Sequence, residues 1–226
     1  MWAEAFGLDP SSIHDEPARV VTPAPWLDGY RGIYVLTLGG TTLISAPADR
    51  AELGVAIAAG RDPRDVADAI GGTFVGPSRH AYLHRDDHVP PARATTRRVT
   101  LDDLDPLRAA VSPNEWHEGG FGPDTEVVWG AFVGRDVVAG GNLTDFAGAP
   151  ADVGLVTHPE HRGRGHAQRL TVDMTTWAVT KAGVDVVRYR ALTTNVASLA
   201  VARRTGFVPY GENVAIRLPD RVPNEP

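Results

Sequence analysis

The chain has no cysteine among its 226 residues, which excludes disulfides, thiolate metal sites and a cysteine nucleophile. Its one lysine, Lys181, falls inside a helical pattern, so the Gly-x4-Gly-Lys-Ser/Thr loop of Walker proteins is missing. No Gly-x-Ser-x-Gly elbow occurs, and a serine hydrolase is therefore unsupported. No apolar run approaches the ~20 residues that span a membrane. The acidic N-terminus lacks the basic-then-apolar start of a secretory signal, so a cytoplasmic protein is expected. Excess positive charge is also lacking: 22 Lys and Arg against 28 Asp and Glu leave −6, which argues against a dedicated nucleic-acid binder. What remains is a chain long enough to bury a core as one large or two small domains.

The densest chemistry lies in Val153-Gly-Leu-Val-Thr-His-Pro-Glu-His-Arg-Gly-Arg-Gly-His-Ala167. An apolar strand pattern ends at Thr157, His158-Pro159 closes it, and a glycine-rich turn opens into a helical pattern. Gly163 and Gly165 remove side chains that would block close approach, and the first N–H groups of a helix have no intrahelical partners. Such a terminus suits phosphate oxygens, and Arg162 and Arg164 add charge beside it. A Rossmann loop would need a third glycine where Arg169 stands. The pattern Arg/Gln-x-x-Gly-x-Gly/Ala is met by Arg162, Gly165 and Ala167. A second segment runs from Asn195 through Ser198 to Gly206-Phe207, a short helical window stopped by a glycine.

These two segments, in this order and separated by one helix and one strand, resemble the two signatures of the GNAT superfamily of acyl-CoA N-acyltransferases. The resemblance covers roughly residues 94–226 and is best from 127 onward. It implies an α+β fold with a mixed sheet, and an N-acetyltransferase moving an acetyl group from acetyl-CoA to an amine in a ternary complex, without a metal. It further implies that strand 155–157 (Leu155, Val156, Thr157) pairs with the pantetheine arm and splays from its neighbour. A backbone N–H there would polarise the thioester, a device worth ~3 kcal/mol per donor. Backbone amides of Arg162, Gly163, Arg164, Gly165, His166 and Ala167 would hold the pyrophosphate. Asn195 would reach the pantetheine or the splayed backbone, and Arg203 or Arg204 the adenosine phosphate. Relatives are often dimers, so a homodimer is one option; the acceptor is a small-molecule or peptide amine, with no nucleic-acid or membrane partner.

Val89–Arg98, with paired prolines, reads as a linker. It divides an N-terminal α/β region, 1–93, from the domain 94–226. Gly32–Ser45 reads as a hairpin about Gly39-Gly40, 49–59 and 63–70 as helices, and 81–83 as a strand. Beyond the linker, 101–111 reads as a helix, 127–133, 137–144 and 152–157 as strands, and the loop helix carries Leu170, Met174 and Trp177 on one face. Val184–Ala191 is a strand, and 207–210 with 213–218 a terminal strand pair.

The acid–base groups are where the chain departs from the resemblance. Many relatives carry a tyrosine at the position of Ala202 to protonate the departing thiolate; Ser198, Tyr210 or solvent would have to serve. The carboxylate position early in the loop strand falls on Ala151, with Asp152 one residue off. Asp152 is the first candidate base, then Glu118 and His117 in Trp116-His-Glu-Gly-Gly120, then Asp145. His80, His84 and His88 would share a helix face, but on a strand they spread over ~26 Å, so no metal site is expected. Two further readings stay open: a CoA-binding sensor on a GNAT scaffold that has lost catalysis, and a nucleotide binder taking ATP or NAD in the same loop.

Overall fold

The computed structural model describes residues 2–27, 30–146 and 148–219. The chain divides into two compact units, one built from residues up to His80 and from Tyr210 onward, the other from Ala81 to Pro209. In chain order the elements are α1 (Trp2–Ala5), β1 (Ala18–Val21), β2 (Gly32–Leu38), β3 (Thr41–Ser45), α2 (Ala51–Ala58), α3 (Pro63–Ala69) and β4 (Thr73–His84). Then come β5 (Arg97–Val99), α4 (Asp105–Ala110), α5 (Pro113–Glu118), β6 (Val128–Val133), β7 (Asp136–Phe146) and β8 (Ala149–Thr157). The last are α6 (His166–Thr180), β9 (Val186–Leu192), α7 (Val196–Arg204) and β10 (Val208–Arg217).

In the first unit β1 pairs with β3, β3 with β2, and β2 with β10. Gly39 and Gly40, with φ of +54° and +96°, make the two-residue turn that matches strand twist. Ile33, Val35, Ile44, Ile57, Val66 and Ile216 bury together beneath α2 and α3. Asp62 starts α3 by accepting the Arg64 N–H at 2.7 Å, with Pro63 fixing the first helical φ. The expected terminal strand pair is instead one strand, β10. Gly211 is no turn: a Cβ there would lie 2.6 Å from Leu38 Cδ2 and from the Thr37 carbonyl, so glycine serves close approach to β2. Strand 81–83 is likewise the end of the 12-residue β4, hidden from pattern reading by Gly76-Pro77. His80 is fully buried on β4, where its Nε2–H donates to Asn213 Oδ1 at 2.8 Å.

The second unit orders its strands β9-β8-β7-β6-β5, antiparallel except for β8 against β9, a mixed sheet. Helices cover both faces. A Cβ on Gly140 would meet Leu104, Leu107 and Phe121, whereas one on Gly141 would meet Met174 and Leu155. Alternate residues of β7 therefore face α4 and α5 on one side and α6 on the other. Leu170, Met174 and Ala178 of α6 are fully buried, as the helical spacing requires. The linker is tied to that helix: Asp173 Oδ2 accepts the Thr95 and Thr96 N–H groups and the Thr96 hydroxyl at 2.8–2.9 Å. Among the described residues no helix is long and apolar enough to cross a membrane.

Candidate functional site

The ladder between β8 and β9 is short. It pairs Asp152 with Arg188 and Val153 with Tyr189, and among the described residues it goes no further. On its other side β8 stays paired with β7 as far as Thr157 opposite Ala139. The His158 N–H donates to the Val138 carbonyl at 2.9 Å. Backbone groups of successive strand residues point to opposite edges, so those of Leu155 and Thr157 face away from β7, into the opening beside β9. The strand pair parts at Gly154.

The chain then passes through a 3-10 turn, Pro159–His161, into the glycine loop. Gly163 and Gly165 take φ of +74° and +79°, a region that favours glycine, and no atom lies within 4 Å of a Cβ at Gly163. Gly165 is the N-cap of α6, and no side chain caps that helix. Its first N–H groups are thus presented at the end of a 15-residue dipole, with the Gln168 and Arg169 side chains nearest to Gly165.

Arg162 and Arg169, beside the loop, are already engaged. Arg162 donates to Glu115 Oε1 at 2.6 Å and to the Thr157 carbonyl at 3.3 Å. Glu115 also closes a capping box with Ser112, whose N–H and hydroxyl, with Arg162 adding less, hold its carboxyl below the usual range. Arg169 donates to His166 Nδ1 at 2.9 Å, which leaves the ring proton of neutral His166 on Nε2. Burial first, then Arg169, His161 and Arg164, pushes His166 below its ordinary pKa.

On the opposite face α5 ends in Gly119-Gly120, pressed onto β8. Asn142 of β7, fully buried, donates from Nδ2 to the Gly119 carbonyl at 2.8 Å. Asn142 is paired with Gly154, where a Cβ would fall 2.0 Å from that same carbonyl. A buried amide and an absent side chain thus hold the α5 turn at the residue where β8 leaves β9. Glu118, exposed at the end of α5, accepts from Asn114 at 2.9 Å, and His117 beside it is exposed as well. Asp152 lies on β8, and both its oxygens accept the Arg188 fork, at 2.9 and 2.6 Å, with the two side chains 12% and 4% exposed. The Arg188 guanidinium also lies 3.7 Å from the centroid of the Phe146 ring. Asp145 accepts the Gly148 N–H at 3.4 Å, on a groove of about 580 Å³ that also carries Asp124 and Glu126 and no cationic side chain.

Asn195 caps α7 by accepting the Ser198 N–H at 3.0 Å. The Ser198 hydroxyl is 2.9 Å from that of Tyr189, which is buried against Phe207. Burial pushes the Tyr189 hydroxyl up to about 12, partly offset by Ser198. Ala202 is a buried methyl, and Arg203 and Arg204 are exposed in the last turn. His80, His84 and His88 part company: His80 is in the core, His84 caps a 3-10 turn, and His88 meets the Thr176 hydroxyl at 2.8 Å. Sequence reading missed Glu115, Asn142, Gly154, Arg188 and Tyr189. Only the first had a local signal, Ser112-Pro113-Asn114-Glu115, a capping box with proline at the first helical position.

A mixed sheet that opens between two parallel strands beside an uncapped, glycine-led helix defines the class. The chain belongs to the GNAT acetyltransferase family: the family model described as Acetyltransferase (GNAT) domain matches residues 93–208, just over half of it. Among solved structures it is similar to an acetyltransferase from the GNAT family of Colwellia psychrerythraea, at 18% identity and a TM-score of 0.53, over 83% of this chain and 65% of that one. It is also similar to a GCN5-related N-acetyltransferase-like protein from Streptococcus suis 89/1591, at 14% identity and a TM-score of 0.51, over 95% and 96% of the two chains. The chain spans about 65% of the Colwellia protein's length. At these identities the likeness is one of fold. No curated protein matches the chain.

Proposed function

We propose that the protein transfers an acetyl group from acetyl-CoA to an amine in a ternary complex. The observation that carries this reading is the loss of β8–β9 pairing after Val153, beside a helix whose first N–H groups no side chain caps. Acetyl-CoA supplies an activated acyl carbon with a good leaving group. Leu155 and Thr157 offer backbone groups to its pantetheine arm, as an added strand would take them, and a peptide N–H of that stretch polarises the thioester carbonyl. The 162–167 loop takes the pyrophosphate. Because Arg162 is paired with Glu115, an arriving phosphate exchanges one anion for another there. Asn195 and Arg203 complete the donor side.

Glu118 is the better-placed base of the two carboxylates. Accepting a proton at Asp152 means breaking a buried two-pronged bond to Arg188, whereas Glu118 is exposed next to the turn held at Gly154. Ser198 is the hydroxyl offered to the departing sulfur. A groove carrying Asp124, Glu126 and Asp145 suits an acceptor with further positive charge. We assign the reaction to residues 94–226.

The test is thiol release from acetyl-CoA with a panel of amines spanning polyamines, aminoglycosides, amino acids and peptide N-termini. Turnover with a cationic amine, reduced by at least tenfold in Glu118→Gln, supports the assignment; ~10²-fold is typical for a general base. CoA binding without turnover of any amine favours the CoA-binding sensor, for which Ala202 in place of a hydroxyl is the supporting observation.

A further inference from the structure

We infer that Tyr189 is a positioning residue: it holds Ser198 so that the serine proton points outward, available to a thiolate in the opening between β8 and β9. This rests on the acyltransferase reading. Tyr189 stands opposite Val153, the last rung before the strands part. Its side chain is 2% exposed and packs against Phe207 at 5.4 Å between ring centroids. Among the described residues its hydroxyl has one hydrogen-bond partner, Ser198 Oγ at 2.9 Å.

The direction of that bond follows from burial. Were Ser198 to donate, the phenol's own proton would have no acceptor among the described residues, and leaving a buried donor unsatisfied is costly. Tyr189 therefore donates and Ser198 accepts. Serine in a helix ordinarily turns its proton back to the carbonyl four residues earlier. Ser198 is the third residue of α7, so the carbonyl four back belongs to Thr194, ahead of the Asn195 cap and outside the helix. The carbonyl three back, that of Asn195, accepts the Leu199 N–H at 3.1 Å and takes no bond from the Ser198 hydroxyl among the described residues, so with its oxygen held by Tyr189 the Ser198 proton is left for an outside acceptor. Ser198 is half-buried, and the buried methyl of Ala202 follows it one turn on the same stripe. The burial that raises Tyr189 to about 12 also keeps the phenol protonated, and so a donor, at any working pH.

The step balances without loss of a proton from either residue. The amine adds to the thioester carbon, and the proton its nitrogen sheds passes to Glu118, the base proposed above, directly or through water. As the tetrahedral species collapses the C–S bond breaks, and its electron pair goes to sulfur. The thiolate accepts the Ser198 O–H hydrogen bond, and its proton comes later from solvent.

A readout that needs no acceptor is the pH titration of the thiol of CoA bound to the protein, followed by thiolate ultraviolet absorbance. Wild type, Tyr189→Phe, Ser198→Ala, Ser198→Thr and the double variant Tyr189→Phe/Ser198→Ala are compared. A hydrogen bond to a charged group is worth about 1.5–3 kcal/mol, and one pH unit corresponds to about 1.4 kcal/mol. The bound thiol should titrate below free CoA in wild type and about one unit higher in Ser198→Ala. Tyr189→Phe, which keeps the ring on Phe207, should show part of that rise, the double variant no more than Ser198→Ala, and Ser198→Thr none. A Tyr189→Phe protein that binds CoA and titrates as wild type overturns the inference, as does additivity in the double variant. A wild type that binds no CoA overturns the donor-site reading itself, and this inference with it.

Discussion

Gly154→Ala is the smallest change that should disturb the site. The new Cβ would sit 2.0 Å from the Gly119 carbonyl oxygen, 2.5 Å from Asn142 Oδ1 and 2.7 Å from Asn142 Nδ2. Real Cβ contacts under 3.0 Å essentially never occur, and the nearest atom is backbone, so the α5 turn must move off β8. Overpacking a buried site costs about 1–3 kcal/mol. Displacing Gly119 also breaks the 2.8 Å bond from Asn142, a fully buried amide, at about 1–3 kcal/mol more. The sum, about 2–6 kcal/mol, corresponds to roughly 4–24 °C in melting temperature for a chain of this length. Gly122→Ala in the same loop is the control. Its Cβ would meet only Thr125 Oγ1, at 4.0 Å, and no positive φ is involved, so it should melt within ~1 °C of wild type. Thermal unfolding followed by circular dichroism reads both. A Gly154→Ala protein that melts with the control would mean that the α5 turn does not rest on β8, and the positioning of Glu118 would lose its basis.

Glu115→Gln keeps the reach of the capping box and removes the charge held against Arg162, so CoA affinity should rise by up to about fivefold, the range of an exposed ion pair; calorimetry showing weaker binding would contradict that. Asp152→Asn removes the charge of a buried two-pronged ion pair and should cost about 3–5 kcal/mol in urea unfolding, whereas Asp152→Leu with Arg188→Met should recover most of the loss. A cost under ~1 kcal/mol for Asp152→Asn would show that the fork does not hold the strands. His166 and His88 both have pKa values lowered by burial from 6.5, so the unfolded chain takes up protons before the folded one does. Their contribution is complete above about pH 6.5 and falls as pH drops toward the folded values. Stability should therefore hold level above about pH 6.5 and decline as pH falls below it, with a shallower decline in His166→Gln; a flat or rising profile below about pH 6.5 refutes it.

The parts legible in the sequence are those whose physics is local. Gly163 and Gly165 need only their own φ values and the helix that follows, and Asn195 caps the helix it begins. The alternation in β6 and β7 and the apolar stripe of α6 are likewise readable within a dozen residues. The contacts between distant segments are not. Asn142 meets Gly119 across 23 residues, Asp152 meets Arg188 across 36, and Arg162 meets Glu115 across 47. Gly154 carries no signal of its own, because its meaning is the carbonyl lying against it. Gly211 misleads for the same reason, reading as a break where it is a close approach to β2. Asp152 reads as a candidate base on position alone, since the guanidinium that occupies both its oxygens comes from the next parallel strand.

The most direct test of the central claim is the melting temperature with acetyl-CoA, CoA, ATP and NAD, for wild type and for Gly165→Glu, each against its own unliganded baseline. A ligand at ~100 times its dissociation constant stabilises by about 2.7 kcal/mol, roughly 5–10 °C here. The account predicts that shift with acetyl-CoA and CoA, none with NAD, and its loss in Gly165→Glu, where a carboxylate side chain replaces the left-handed glycine cap of α6. No shift with either CoA species in wild type would mean that the loop holds no donor, and would contradict the acyltransferase reading.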